Sequence, residues 1–387
     1  MKRFPFVVLS TLLALLLIVF WPRPAMTNSG QASVEWLDSD QVEAAADFTR
    51  VYGPTELQFP RDLGPHKDYQ TEWWYYTGNL ESDTGREFGY QFTFFRRALT
   101  SDAETVENAS DWRTNQIYFS HFTLSDIENQ QFYPHERFGR ESASLAGAQA
   151  EPYRVWLEDW SAEQVAPGQV HLVAKADDVA LDLTLAETLP PVLQGDRGFS
   201  PKGPEPGNAS YYYSIVQQQT EGTVVVGDEA MAVTGKSWKD HEYSTSVLSA
   251  GTVGWDWFSL QLDNGTALML YAFRQAGQSE VVVADGTFVA ADGTTTRINK
   301  GDCQVDVLET WRSPESGASY PSQWHVEIPK LDLTLEGQSL MPNQELNVSN
   351  TYWEGAIAFD GKLSDVTVSA KGYVEMTGYT ASMENVL

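Results

Sequence analysis

The segment GKSWKDHEYS contains three neighbouring residues of the types that perform acid–base catalysis or bind metals, Asp240, His241 and Glu242. Their side chains can hold and transfer protons once the surroundings shift their pKa values. If the segment is a strand, its side chains alternate between two faces, and Asp240 and Glu242 lie together beside Trp238. His241 then lies on the opposite face with Tyr243. A turn would leave the three groups free to meet.

An acidic residue adjoins tryptophan at three further places, and we take Glu72, Asp256 and Glu354 as secondary candidates. Burial raises the pKa of a carboxyl by up to about 3–5 units, so that such a group can remain protonated and act as a general acid. Aromatic faces stabilise a nearby cation by about 0.5–2 kcal/mol. This combination suits the protonation of an alkene. Alternatively, the carboxylates accept hydrogen bonds from indole or backbone N–H groups and stabilise the fold.

Other catalytic patterns are absent from the sequence. There is no Gly-x-Ser-x-Gly elbow, phosphate-binding loop or dinucleotide fingerprint. The histidines lack the short spacing of a typical metal motif, and the single cysteine, Cys303, excludes an intramolecular disulfide and a cysteine-based zinc site. We therefore expect neither a cofactor nor a metal. The histidines are His66, His121, His135, His171, His241 and His325.

The 387-residue chain has a formal net charge of −28 and 12% aromatic residues. This charge argues against long-range attraction to nucleic acid or to an anionic lipid surface. The aromatic content favours β-rich packing or ligand cavities lined by flat rings. The length suffices for two domains with separate cores.

The first 21 residues, MKRFPFVVLSTLLALLLIVFW, have a basic start followed by an uncharged apolar run. This pattern is typical of an export signal or a membrane anchor. We assign residues 1–26 to such a segment, which would be the membrane contact of the protein. The remainder is then exported to the periplasmic or extracellular face, either anchored or released after cleavage.

Beyond the N-terminus, a short helix is predicted at residues 39–52, within a linker that we place at residues 27–65. From there the chain consists of short alternating or apolar runs separated by Gly, Asn and Asp turns. Such runs indicate antiparallel strands in barrels or sandwiches. The fold class predicted is therefore all-β.

Two aromatic hairpins resemble each other. Residues 72–96 can be aligned with residues 254–274, so that Trp73 matches Trp255 and both segments end in Phe-Arg. Because they lie about one domain length apart, the match favours two similar domains in tandem. We place these domains at residues 66–246 and 247–387.

Several motifs in this order resemble the AttH and carotenoid 1,2-hydratase family: TEWWYYTGNL, NASYYYS, GKSWKDHEYS, GWDWFSLQL, LMLYAFR, YWEGAIAFDG and KGYVEMTGY. The resemblance implies two tandem lipocalin-like barrels with a pocket for a long apolar molecule. Family members include hydratases that add water to acyclic carotenoids by acid catalysis. Here Ala272 follows Tyr271, where those hydratases have the proposed proton-donating Asp. The Trp-Lys-Asp-His-Glu run instead resembles the AttH-like branch.

The resemblance leaves two functions open. One is the binding of a hydrophobic small molecule, lipid or isoprenoid, in association with an ABC-type export permease. The other is a cofactor-free hydro-lyase or isomerase acting on a polyene, with Asp240 or Glu242 as proton donor and His241 as its partner. For either function, the expected ligand-binding residues are Trp74, Tyr76, Tyr212, Trp238, Trp255, Trp257 and Tyr271.

Overall fold

The computed structural model describes residues 48–101, 114–246, 248–277 and 281–383. These residues form two antiparallel β-sheets and two short 3-10 helices, Arg61–Leu63 and Pro329–Leu331. The all-β prediction is confirmed. The predicted N-terminal segment and most of the predicted helix at 39–52 lie outside the described residues, and residues 48–52 are not helical. No helix in the described part of the chain is long and apolar enough to span a membrane.

The first sheet contains 13 strands within the described residues. Its order is β4-β3-β2-β1-β13-β12-β9-β8-β7-β6-β5, and β10 and β11 pair with β12. The bounds are β1 Thr71–Ser82, β2 Glu87–Ala98, β3 Gln116–Asp126, β4 Gln131–Arg140, β5 Ala146–Ala150, β6 Tyr153–Leu157, β7 Trp160–Ala166, β8 Gln169–Lys175, β9 Val179–Glu187, β10 Val192–Leu193, β11 Phe199–Pro201, β12 Ala209–Val226 and β13 Glu229–Ser244.

The second sheet contains 10 strands within the same described ranges. Its order is β17-β16-β15-β14-β23-β22-β20-β19-β18, and β21 pairs with β22. The bounds are β14 Thr252–Leu262, β15 Ala267–Gln275, β16 Val283–Val289, β17 Thr295–Asn299, β18 Gln304–Arg312, β19 Ser319–Ile328, β20 Leu333–Ser339, β21 Glu345–Asn347, β22 Thr351–Leu363 and β23 Val366–Met376.

The two sheets share one strand arrangement. In each sheet the first strand pairs along one edge with the last strand, β1 with β13 and β14 with β23. Along its other edge the first strand pairs with the strand that follows it in the chain, β1 with β2 and β14 with β15. Trp73 lies opposite Phe95 in the first hairpin, and Trp255 lies opposite Phe273 in the second. The repeated hairpin inferred from the sequence therefore occupies the same place in both sheets.

Each sheet is curled around an apolar interior, and a third apolar cluster lies between the sheets. Trp74 and Tyr76 lie in the interior of the first sheet, and Phe258 lies in that of the second. Tyr75 and Trp257 lie in the cluster between the sheets. Neighbouring residues of one strand thus belong to different cores, because successive side chains leave a strand in opposite directions.

Burial along β13 shows where the two sheets meet. Its first residues alternate between exposed and buried, as expected for a strand with one face in water. From Ser237 to Ser244, every residue is buried. This half of β13 therefore has the interior of the first sheet on one face and the cluster between the sheets on the other.

Candidate functional site

Strand alternation divides the Asp240, His241 and Glu242 triplet. All three lie within β13, where Asp240 and Glu242 share the face of Trp238. Trp238 belongs to the apolar cluster between the sheets. His241 points to the other face and bonds to groups in the interior of the first sheet. The structure therefore forms a carboxylate pair and a separate histidine, which is the strand alternative derived from the sequence.

Asp240 is held by three hydrogen-bond donors. The hydroxyl groups of Tyr212 and Ser214 each donate over 2.5 Å, and the indole N–H of Trp238 donates over 2.6 Å. Burial raises the pKa of Asp240 to about 7, although these three hydrogen bonds act in the opposite direction. Asp240 is thus fixed in orientation by groups of its own sheet.

Glu242 pairs with a lysine that no sequence motif indicates. Lys202, from the segment between β11 and β12, forms an ion pair with Glu242, which also accepts a hydrogen bond from Ser210. The Lys202 ammonium lies 5.4 Å from the ring centre of Tyr212 and 5.2 Å from that of Tyr271. Lys202 lies in a Pro- and Gly-rich segment, which carries no strand periodicity from which its position could have been predicted.

The second sheet contributes two more carboxyl groups to the same region. Glu354 of β22 and Glu375 of β23 lie directly opposite each other in the strand pairing. Tyr75 of the first sheet donates a hydrogen bond of 2.9 Å to Glu354 Oε2, and the Trp255 indole donates one of 2.6 Å to Glu375. Glu354 Oε1 is buried and has no hydrogen-bond partner among the described residues.

The pKa values of both glutamates are raised. Burial and the neighbouring charge of Glu375 raise the pKa of Glu354 well above its ordinary value, against the opposing hydrogen bond from Tyr75. Burial, together with the negative charges of Asp240 and Glu242, raises the pKa of Glu375 to about 7. Glu375 was not selected from the sequence, because the tryptophan that it contacts, Trp255, lies in another strand.

We define Asp240, Glu242, Glu354 and Glu375 as the carboxylate cluster. Its surroundings are aromatic, and the Trp257 indole donates a hydrogen bond of 3.0 Å to the Tyr212 hydroxyl. The expected ligand-binding residues that the structure brings to this region are Tyr212, Trp238, Trp257 and Tyr271, with Trp255 packed at the margin. Such a site combines a carboxyl group whose pKa lies well above its ordinary value, Glu354, with rings that can stabilise positive charge.

Trp74 and Tyr76 lie elsewhere. Both face the interior of the first sheet, where the Tyr76 hydroxyl bonds to that of Tyr153. Their neighbours in β1, Trp73 and Tyr75, lie on the opposite face of the strand, which is the face towards the carboxylate cluster. Residue type alone does not show which of the adjacent tryptophans, Trp73 or Trp74, lies near the second sheet. That depends on which face of β1 meets the second sheet, and only the tertiary structure shows it.

His241 belongs to a second polar group, centred on Glu72. Glu72 Oε1 lies 2.8 Å from His241 Nε2 and 2.8 Å from His66 Nδ1, and Glu72 Oε2 accepts a hydrogen bond of 2.9 Å from Arg96 Nε. Arg96 also donates to the backbone carbonyl oxygens of His66 and Tyr69. No sequence motif indicates this grouping, because the two histidines are distant in the chain.

The charge of Glu72 is compensated. Burial alone would raise its pKa, but Arg96 and the hydrogen bonds from both histidines hold that pKa well below its ordinary value. Burial lowers the pKa of His241 to about 4, so this imidazole is neutral at neutral pH. The Glu72 and Arg96 side chains are both fully buried. The donor atoms of His66, Glu72 and His241 lie within 4.8 Å of one another, close enough to share a metal ion.

Asp256 occupies a comparable place in the second sheet. Its carboxyl accepts hydrogen bonds of 3.1 Å from the Tyr379 hydroxyl, and Arg274 Nε lies 4.0 Å away. Burial raises the pKa of Asp256 to about 7, because Arg274 and Tyr379 only partly offset the loss of water. Asp256 therefore faces the interior of its own sheet and is separated from the carboxylate cluster by the pleat of β14.

Replacement of Arg96 by Met tests the ion pair with Glu72. Arg96→Met keeps much of the side-chain volume but removes the guanidinium partner of the buried Glu72 charge. We expect the free energy of unfolding in urea to fall by about 3–5 kcal/mol. The exposed Arg140 provides the matched control, Arg140→Met. Equal losses in the two variants would show that the ion pair does not stabilise the fold.

Replacement of Asp256 by Asn tests its raised pKa. The folded-state pKa of about 7 exceeds the ordinary 3.8, so the contribution of Asp256 to stability is complete below about pH 3.8 and is lost as pH rises through 7. Relative to wild type, Asp256→Asn should therefore gain up to about 4 kcal/mol of unfolding free energy between pH 4 and pH 8. The control, Asp365→Asn at an exposed position, should show no such change. A pH-independent difference for Asp256→Asn would contradict the assignment.

The comparisons with known proteins agree with the resemblance seen in the sequence. Residues 50–379 match the profile of the AttH-like family. An AttH protein from Nitrosomonas europaea has 33% identity and a TM-score of 0.75, covering 86% of this chain and 100% of that one. Kievitone hydratase from Nectria haematococca shares the fold at 16% identity and a TM-score of 0.65, covering 87% and 97%. A comparison with curated proteins finds no match. This chain therefore belongs to the AttH-like family.

Proposed function

We propose that this protein binds an apolar, unsaturated molecule between its two sheets and protonates a carbon–carbon double bond, as a hydratase or isomerase without a cofactor. The observation that carries the proposal is the state of Glu354. It is a fully buried carboxyl group with one oxygen bonded to Tyr75 and the other without a partner in the described residues. A protonated oxygen in this position has a proton available for donation.

The geometry favours Glu354 over Asp240 and Glu242 as proton donor. Asp240 already accepts hydrogen bonds from three groups, and Glu242 is paired with Lys202. The opposed pair Glu354 and Glu375 has the asymmetry that acid–base catalysis requires, because ionisation of one group opposes ionisation of the other. The charge of ionised Glu375 raises the pKa of Glu354 and so keeps Glu354 protonated.

The proposed reaction balances in atoms and charge. Glu354 donates its proton to one alkene carbon, leaving a carbocation at the other, which nearby Trp and Tyr rings stabilise. Water forms a bond to the cationic carbon and loses a proton to Glu375. The net change is addition of one water molecule, and proton transfer from Glu375 to Glu354 restores the starting state. Isomerisation results if the cation instead loses a proton from another carbon.

A second candidate is ligand binding without chemistry. It is favoured by the hydrogen bonds on Asp240, which resemble those of a carboxylate that stabilises the fold. An apolar ligand held between the sheets requires the same aromatic residues but no proton donor. Under this alternative the protein would carry a lipid or isoprenoid unchanged.

The proposal extends to location. The basic and apolar N-terminal sequence supports export across the cytoplasmic membrane, with the folded part on the periplasmic or extracellular side and association with an ABC-type permease. N-terminal sequencing of the protein recovered from a cell-envelope fraction distinguishes cleavage from anchoring. Recovery of the uncleaved protein only from the cytosol would refute export.

Replacement of Glu354 by Gln tests the proton donor. We expect the full-length protein, incubated with a panel of isoprenoid polyenes in H₂¹⁸O, to form a product with one ¹⁸O atom, detected by mass spectrometry. Glu354→Gln should lower the rate at least about 100-fold. The exposed Glu309 gives the control, Glu309→Gln, with unchanged rate. Binding of a polyene without a product in any sample would favour the carrier alternative.

The pH profile separates the two glutamates. The rate should rise as pH increases through about 7, because Glu375 must be ionised to accept the proton from water. It should fall at higher pH, where Glu354 loses its proton. Glu375→Gln should remove the rising limb. A profile that is identical in wild type and Glu375→Gln would contradict this assignment.

A further inference from the structure

We infer that His66, Glu72 and His241 form a binding site for one divalent transition-metal ion of the zinc type. The site lies on the face of β13 opposite Asp240 and Glu242, so it is separate from the carboxylate cluster. Two imidazoles and a carboxylate are a donor set that zinc commonly takes in proteins. The inference is independent of the proposed protonation chemistry.

The donor atoms converge on a small space. His66 Nδ1 and His241 Nε2 each lie 2.8 Å from Glu72 Oε1, and all three residues offer donor atoms within 4.8 Å of one another. Zinc binds nitrogen and oxygen at about 2.0–2.2 Å, so tetrahedral ligand atoms lie about 3.3 Å apart. Binding therefore requires each imidazole nitrogen to move about half an ångström away from Glu72 Oε1, and the two nitrogens, which lie within 4.8 Å of each other, to reach a similar separation.

Each imidazole is oriented through its second nitrogen. His66 Nε2 lies 3.4 Å from Asp62 Oδ1, and His241 Nδ1 lies 2.8 Å from the Tyr213 hydroxyl. Metal-binding histidines characteristically donate their other N–H to a carboxylate, carbonyl or similar acceptor. The inner nitrogens hydrogen-bond to Glu72 Oε1, so a bound ion would replace their protons, and each ring would then carry its proton on the outer nitrogen, towards Asp62 or the Tyr213 hydroxyl.

Glu72 presents one oxygen to the two imidazoles. Its Oε2 accepts hydrogen bonds of 2.9 Å from both Arg96 Nε and the His66 backbone N–H, whereas Oε1 faces the two imidazoles and accepts only a longer bond of 3.2 Å from that N–H. Arg96 thus fixes the carboxylate without occupying the space between the rings. Its positive charge opposes that of the ion and limits the affinity.

The site connects two parts of the chain that are distant in sequence. His66 precedes β1, Glu72 lies in β1 and His241 lies in β13. The His66 side chain is 16% exposed, which gives an ion access from solvent. Three protein ligands leave a fourth position for water, and the bound ion would fasten the segment before β1 to the first sheet.

Metal titration of the full-length protein tests the inference. After treatment with a chelator and dialysis, we expect one Zn²⁺ per chain by elemental mass spectrometry, and Co²⁺ in its place should give the visible absorption of a tetrahedral site. Saturating Zn²⁺ should raise the melting temperature by at least about 3 °C, because the ion binds only the folded chain.

Two variants locate the ion. His66→Ala, at the accessible ligand, and Glu72→Gln should each abolish the Co²⁺ absorption and the zinc-dependent rise in melting temperature. His171→Ala is the matched control, because His171 pairs with Asp182 outside the site. Zinc retained equally by His66→Ala, or no binding by folded wild-type protein, would overturn the inference. Glu72→Gln need not fold for this conclusion, since His66→Ala alone decides it.

Discussion

The structure depends on one constraint, which is that the buried halves of β1 and β13 must serve two cores at once. Because side chains alternate along a strand, each residue between Ser237 and Ser244 is assigned to one core or the other by its position alone. A shift of one residue would exchange His241 with the carboxylates. Pairing of β13 on both edges, with β1 and β12, fixes this register.

The two faces of β13 use opposite electrostatic arrangements. On the inner face, Glu72 has Arg96 and two imidazoles as partners, and its charge is stabilised. On the face towards the second sheet, Lys202 is paired with Glu242, while Glu354 and Glu375 face each other without a paired cation in the described residues. Burial disfavours the charged carboxylate on both faces, so Glu354 remains an acid, whereas Glu72 stays ionised because Arg96 and the histidines stabilise its charge.

The sequence predicted what alternation and local pattern determine. The all-β class, the repeated hairpin and the separation of Asp240 and Glu242 from His241 all follow from period-two side-chain placement. It could not predict residues that meet through tertiary structure, such as Lys202, Glu375 and His66. Alternation also leaves open which face of β1 meets the second sheet, and in the structure Trp73 and Tyr75 lie on that face while Trp74 and Tyr76 lie on the other.

The pairing of β1 with β13 also has a consequence during synthesis. Thr71 pairs with Ser244, so one edge of β1 stays open until nearly the whole first sheet has left the ribosome. Until then the aromatic segment TEWWYYTGNLES exposes unsatisfied backbone groups, a state prone to association with other chains. The arrival of β13 satisfies these backbone groups and closes the open edge.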